Sequence, residues 1–192
     1  MLWPDTSRAL GYVAAVGTTR RRVSIRVAGI VLVLVGAALT LAAIGGLTWY
    51  AVDDGADSAG AGFTFADLHT NADQLGAPIA AAYFDWLAWV LLIGLVVVGI
   101  AANVSSPATN GLRVLGFLLG VIGVGGTYYA LAQLFNAQRA AGGSNHSVWH
   151  NSTLGVWCAL IGYLLAGTGA VLGARPGVLH KGGSGHSDTI AR

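Results

Sequence analysis

Hydrophobic residues are concentrated in four long stretches that contain almost no charge, and short polar segments separate them. The stretches cover about residues 27–50, 78–103, 111–135 and 153–174. Because a helix rises about 1.5 Å per residue, each stretch is long enough to cross a hydrocarbon core of about 30 Å. The pattern therefore predicts an all-α membrane protein in which four transmembrane helices form an antiparallel bundle.

The overall composition agrees with this prediction. Of the 192 residues, 55% are hydrophobic and 9% are charged, and the mean hydropathy is +0.67. Soluble domains carry about 25% charged residues, so the composition excludes an ordinary soluble domain. The first partner we expect is the lipid bilayer, and nothing in the charge balance indicates binding to nucleic acid.

A cleaved signal peptide is the alternative interpretation of the first stretch, because arginines at 20–22 and 26 precede it. The apolar run extends from Val27 to Val52. The apolar part of a signal peptide has about 7–15 residues, whereas a spanning helix needs about 20. The length favours a retained membrane helix.

Charges are sorted by sign along the chain, and this predicts the orientation. Six aspartates lie between Asp53 and Asp85, whereas basic residues are concentrated before Val27, after residue 174 and at Arg113. Basic flanks stay on the cytosolic side of a membrane. We therefore expect a bacterial plasma-membrane protein with both termini in the cytosol.

This topology divides the chain into three parts. Residues 1–26 form a basic cytosolic segment, and residues 27–174 form the transmembrane domain. Residues 175–192 are rich in glycine and serine, which predicts a disordered cytosolic tail. The outer segments are 51–77 and 136–152.

The first outer segment contains signals for a short amphipathic helix. Thr64 and Asp67 have the spacing of a capping box, with Asp in place of Glu. Leu68, Ala72 and Leu75 then follow at helical spacing, before Gly76 and Pro78 interrupt the pattern. We expect this helix to rest on the outer membrane surface or across the end of the bundle.

Aromatic residues cluster near the outer ends of the four stretches. Trp and Tyr rings favour membrane interfaces because an apolar ring is joined to a polar N–H or O–H group. The predicted interfacial tryptophans are Trp49, Trp86, Trp89, Trp149 and Trp157. A surface for a membrane partner is the alternative role for the same rings.

Small residues recur at spacings of three and four along the stretches, which predicts close helix packing. In lipid, helices associate through such seams because little hydrophobic free energy is gained by contact. The fourth-stretch seam is Gly155, Ala159, Gly162, Ala166, Gly169 and Gly173, and the third-stretch seam is Gly116, Gly120 and Gly123, continued by Thr127 and Ala130. We expect these two seams to face each other, although one of them could face another subunit. A shorter seam follows Gly36, Thr40 and Ala43.

Residues with catalytic or ligand-binding chemistry are scarce. The single cysteine, Cys158, excludes an intramolecular disulfide, and no nucleotide, hydrolase or metalloprotease motif is present. His146 and His150 could form a metal site together with His69, but loop histidines in contact with water are the favoured interpretation. The sequence therefore predicts no catalytic residue, no cofactor and no metal site.

Three segments resemble uncharacterised four-span membrane proteins of actinobacteria: 63–68 (FTFADL), 83–89 (YFDWLAW) and 162–167 (GYLLAG). The resemblance covers about residues 27–174 and implies the four-span fold, but that family has no known activity. Claudins and tetraspanins share the layout of four spans and a long first outer loop. Their outer cysteine pairs are missing from this sequence, so that likeness is limited to topology.

The sequence points to a protein that works through contacts rather than through catalysis. We expect a non-enzymatic accessory or scaffold subunit of a cell-envelope membrane complex, with a membrane-protein partner or a second copy bound to it. The alternative is a small-molecule or lipid transporter or channel that acts as an oligomer. The scarcity of ionisable groups within the predicted spans disfavours this alternative.

Overall fold

The computed structural model describes residues 27–51, 62–104, 110–142, 149 and 152–172. The described residues form five helices and two short strands. In chain order these are α1 (Val27–Gly45), β1 (Tyr50–Ala51), β2 (Gly62–Phe63), α2 (Phe65–Gln74), α3 (Pro78–Val104), α4 (Asn110–Ala140) and α5 (Leu154–Leu172). The predicted basic segment and the predicted tail lie outside the described residues.

Helices α1, α3, α4 and α5 are long and apolar enough to cross a membrane. The faces that point away from the other helices are apolar as well, with exposed side chains such as Val31, Ile93, Phe117 and Leu164. A water-soluble domain would carry polar side chains on most of this surface. Helices that are apolar all round are typical of a protein whose surroundings are lipid.

Two helices end at positions that differ from the prediction. Helix α1 stops at Gly45, five residues before the predicted end. Gly45 and Gly46 both have low helix propensity, and the chain after them leads into β1. Helix α4 continues to Ala140, five residues past the predicted end. Two residues later, Gly142 has a φ of 84°, the left-handed conformation that commonly follows the end of a helix.

Helix α2 begins with the capping box that the spacing predicted. The backbone N–H of Asp67 donates to the Thr64 side chain at 3.4 Å, and the Asp67 carboxylate accepts from the Thr64 backbone N–H at 2.8 Å. Phe65, Leu68 and Ala72 are buried on one face of the helix, against α3. The capping box thus starts a helix that is held mainly by the packing of its apolar face.

The chain between α1 and α2 forms a two-stranded antiparallel sheet. Tyr50 pairs with Phe63, and Ala51 pairs with Gly62. On its other side, β1 forms a single bridge from Tyr50 to Ser152, just before α5. The strand is therefore held from both sides, and we call the unit of 47–51, 62–77 and 152–153 the cap.

Helix α3 starts at Pro78, and a wide π turn interrupts it at Tyr83–Leu87. Proline is favoured in the first turn because it has no N–H to leave unbonded. The N–H of Ala80, another group without a partner in its own helix, donates to the side-chain oxygen of Gln133 at 2.8 Å. This bond joins the start of α3 to α4.

Helix α5 is the central helix of the fold. It contacts α1 along its glycines, and it contacts α4 through the ring of Tyr163. The Tyr163 hydroxyl also donates to the carbonyl of Ala88 in α3, at 3.1 Å. Every other long helix therefore packs on α5, and α5 is the most deeply buried of the four.

The capping box predicts a response to acid. The hydrogen bonds from Thr64 lower the pKa of Asp67, so ionised Asp67 stabilises α2 above about pH 4 and this stabilisation is lost as the pH falls through the folded-state pKa. We expect D67N to remove this part of the acid response. Hydrogen exchange of α2 between about pH 2 and 7 measures the effect.

Asp73 provides the matched control, because it is exposed on the same helix but lies in the last turn. The D73N variant should keep the acid response of the wild-type protein. An equal response in D67N and in wild type would contradict the role of the capping box.

Candidate functional site

The predicted seam of α5 packs against α1. An ideal Cβ placed on Gly36 would lie 2.5 Å from the carbonyl oxygen of Gly162, and one placed on Gly162 would lie 2.6 Å from the carbonyl oxygen of Gly36. No side chain fits at either distance. The hydrogen that each glycine carries in place of Cβ therefore points at the carbonyl of the other, which is the geometry of paired Cα–H···O contacts.

The same contact continues toward both ends of α5. A Cβ on Gly169 would lie 2.8 Å from the carbonyl oxygen of Gly29, and a Cβ on Gly155 would lie 2.7 Å from that of Thr48. Ala159 and Ala166 are buried between these points. Gly173, the last residue of the predicted seam, lies outside the described residues.

The seam of α4 packs on a different face of α5. Gly116 lies against the side chain of Ala170, Gly120 lies against the backbone of Gly167, and Gly123 lies under the ring of Tyr163. The expectation that the two seams face each other is therefore wrong. Helix α5 has small residues on two faces, and the face with Gly167 and Ala170 receives α4 while the predicted seam receives α1.

Asn103 joins three helices at the end of α3 that lies away from the cap. Its amide nitrogen donates to the carbonyl of Gly99 at 2.8 Å and to the carbonyl of Gly169 in α5 at 3.2 Å. Its side-chain oxygen lies against Gly29 of α1. The residue is 1% exposed. In the sequence, Asn103 is a polar residue at the end of an apolar stretch, a position that also marks the boundary of a span.

A buried hydroxyl cluster lies at the π turn of α3. The hydroxyl of Thr127 donates to the carbonyl of Gly123 at 2.8 Å, so the Tyr83 hydroxyl is the donor in the 2.5 Å bond between Tyr83 and Thr127. The hydroxyl of Tyr163 lies beside that of Tyr83 and donates to the carbonyl of Ala88. The cluster thus connects α3, α4 and α5 by directional bonds inside the protein.

The structure corrects the prediction for Trp49. This residue is not an interfacial anchor, because its side chain is 0% exposed. Its indole N–H donates to the carbonyl of Ala43 at 2.7 Å, and its ring lies 5.3 Å from that of Phe65 and 5.8 Å from that of Phe84. Because α1 stops at Gly45, the chain turns inward and the Trp49 ring packs between Phe65 of α2 and Phe84 of α3.

The other four predicted tryptophans have exposed rings: Trp86, Trp89, Trp149 and Trp157. Trp149 stacks on Tyr128 with the ring centroids 5.9 Å apart, and it contacts Trp157 at 5.7 Å. These rings lie near the end of the fold that carries the cap. Their positions suit either an interfacial belt or a contact surface.

Of the three candidate metal ligands, His69 lies in the described part of the chain. His69 lies on α2, with Nδ1 3.2 Å from the carbonyl oxygen of Ala81. Since a carbonyl only accepts, Nδ1 carries the proton. His146 and His150 lie outside the described residues. Across 27–51, 62–104, 110–142, 149 and 152–172, no group of three or more His, Cys, Asp or Glu side chains is placed to hold a metal ion.

The cap is joined to α5 by polar bonds around Thr48. The N–H of Gly155 in the first turn of α5 donates to the carbonyl of Thr48 at 2.9 Å, and the hydroxyl of Thr153 donates to the same oxygen. The N–H of Thr153 donates to the carbonyl of Trp49 at 3.0 Å. Burial also raises the pKa of Tyr50, so this phenol stays neutral. The cap is a structured surface rather than a loose loop.

The glycine contact between α1 and α5 predicts the effect of a larger side chain. We expect G162L to destabilise the protein by about 1–3 kcal/mol or more, because the leucine must displace the backbone of α1. Thermal unfolding in detergent measures this loss. The matched control is G125L in α4, where the space around the glycine is open. Equal unfolding temperatures for the two variants would contradict the assigned packing.

Comparisons with protein-family models, with curated proteins and with solved structures find no match to this chain. The resemblance to four-span membrane proteins of actinobacteria stays a prediction.

Proposed function

We propose that the protein is a non-enzymatic accessory or scaffold subunit of a membrane complex in the bacterial cell envelope. In this proposal α1, α3, α4 and α5 cross the plasma membrane as an antiparallel bundle. Both termini lie in the cytosol, and the cap with its helix α2 lies on the outer side. The cap is the surface that a membrane-protein partner binds.

The distribution of charge supports the proposed orientation. Asp67, Asp73 and Asp85 belong to the cap or to the turn beside it, and all three are exposed. Arg113 lies near the opposite end of α4, and the other concentrations of basic residues are in the terminal segments. Basic residues favour the cytosolic side, which puts the cap outside.

The single observation that carries the proposal is the way β1 is held. Its residues bond to β2 on one side and to the start of α5 on the other, and Trp49 fills the space beneath. Surfaces that are ordered before binding lose less conformational entropy on association. A preformed surface at the membrane boundary supports a role in recognition.

The packing between the helices supports the same role. Glycine backbones of α1 and α5 are in contact. The hydroxyls of Tyr83 and Thr127 bond to each other, and those of Thr127 and Tyr163 donate to carbonyls. Such packing stabilises helix pairs in lipid. It favours a close-packed interior over a passage through the protein.

The proposed orientation predicts which residues meet a reagent outside the cell. In a C158A background, we expect D73C to react in intact cells with a thiol reagent that does not cross membranes, whereas N110C should react only after the cells are broken. Asp73 and Asn110 are both exposed and lie at opposite ends of the fold. Labelling of N110C but not of D73C in intact cells would reverse the topology.

The proposed role predicts a specific neighbour in the native membrane. We place a photo-crosslinking amino acid at Trp86 or Tyr128, near the cap, and a control at Ile122, which is exposed in the middle of α4. We expect the first two positions to give one defined crosslinked membrane protein that mass spectrometry identifies and reciprocal tagging confirms. The control should not give this product.

Two results would count against the scaffold role. A lone monomer after mild detergent extraction, under conditions that preserve known complexes, would remove its basis. Flux or lipid exchange in liposomes that contain only this protein would favour the transporter. A crosslink between two copies would identify the partner as the chain itself.

A further inference from the structure

The π turn of α3 brings residues into the core that a regular helix would not. An α-helix turns about 100° per residue, so Tyr83, which lies five residues before Ala88, would point about 140° away from it. Both residues are nevertheless buried, with 1% of each side chain exposed. The extra residue in the turn rotates the preceding segment inward, and it leaves Asp85 and Trp86 exposed.

Different contacts hold the two sides of the turn. Before it, the Ala80 N–H is bonded to Gln133 of α4 at 2.8 Å, and the Tyr83 hydroxyl is bonded to Thr127 at 2.5 Å. After it, the carbonyl of Ala88 accepts from Tyr163 of α5. The body of α3 is thus bonded to α5, whereas its first turn, which is buried at Ala80, is joined to α4 by two side-chain hydrogen bonds.

Helix α2 is attached to the part of α3 on the N-terminal side of the turn. The ring of Phe65 lies 5.2 Å from that of Phe84, and His69 bonds to the carbonyl of Ala81. Trp49 packs on both phenylalanine rings. A rotation of the first turn of α3 therefore moves α2 and changes the packing under the cap.

We infer that the π turn Tyr83–Leu87 is a two-state hinge and that the hydroxyl pair of Tyr83 and Thr127 is its latch. When the latch opens, the turn takes regular α geometry. The extra residue is then accommodated outside the helix, at its N-terminal end next to Ala77. The segment Pro78–Ala82 then rotates by about 100°, since one residue of helix has been removed. Ala80 turns away from α4, and the cap changes shape.

If the turn is a hinge of this kind, one of its residues can be deleted without loss of the folded structure. Deletion of Trp86 puts Tyr83 four residues before Ala88, about 40° from it on a regular helix, so the same side chains face the core without a π turn. We expect the deletion variant to unfold at a temperature close to that of the W86A variant, which lacks the ring but keeps the residue.

Deletion of Val97 is the matched control, because Val97 is exposed in the regular part of the same helix. This deletion rotates the buried Leu92 and Leu95 out of the core, so we expect a large loss of stability. If deletion of Trp86 is as damaging as deletion of Val97, the π turn is not a hinge and the inference is overturned.

Opening of the latch is measured with a thiol at a buried position of the first turn. In a C158A background, A80C should react slowly with a maleimide. We expect T127V to raise the reaction rate about threefold to fivefold, the factor that follows from the loss of one net hydrogen bond. The increase should disappear when Trp86 is also deleted, because without the extra residue the first turn of α3 has only one orientation.

Hydrogen exchange of the peptide 78–88 provides a second measurement that does not depend on the A80C substitution. T127V should increase exchange there and in α2, and deletion of Trp86 should cancel the increase. Unchanged labelling and unchanged exchange in T127V would overturn the inference. An increase that persists after deletion of Trp86 would also overturn it, because it would come from general loosening of the fold.

Discussion

The close approach of α1 and α5 at Gly36 and Gly162 is the contact on which the rest of the structure depends. In lipid there is little hydrophobic free energy to gain from bringing two apolar helices together, so short-range contact between backbones has to supply the attraction. Each glycine directs a Cα hydrogen at the carbonyl oxygen of the other, and the backbones are closer than any side chain allows. The hydroxyl of Thr40 bonds to the same Gly36 carbonyl at 3.0 Å and thereby occupies the remaining space beside the seam.

The position of α1 on α5 determines how the cap is built. Because α1 ends at Gly45 beside the start of α5, the carbonyl of Thr48 reaches the free N–H of Gly155, and both groups are satisfied. Trp49 then points inward and bonds to the last turn of α1, so a buried aromatic ring closes the end of the helices. The seam in the apolar part of the protein and the polar bonds of the cap are therefore parts of one arrangement.

Sequence patterns predicted the features that depend on local periodicity. The four apolar stretches correspond to the four long helices, and the spacing of Thr64 and Asp67 is that of the observed capping box. Patterns could not show which neighbour each face of α5 meets, because both faces carry small residues at helical spacing. They also predicted an interfacial position for Trp49. The end of α1 at Gly45 turns this ring inward, and that turn depends on tertiary contacts that a sequence pattern does not show. The π turn was not predicted because helical periodicity assumes a constant rotation per residue.

Directional bonds give the packing a specificity that small residues alone do not provide. A glycine seam can slide by one turn and still offer small residues to its neighbour, because the spacing repeats. Asn103, with two fixed carbonyl acceptors in α3 and α5, allows one register of these helices. At the other end, the bond between Tyr83 and Thr127 sets the rotation of α3 against α4, and in this sequence the π turn is what brings Tyr83 to face Thr127. The turn also keeps the charge of Asp85 out of the core, so one irregular turn positions a buried donor and an exposed carboxylate at once.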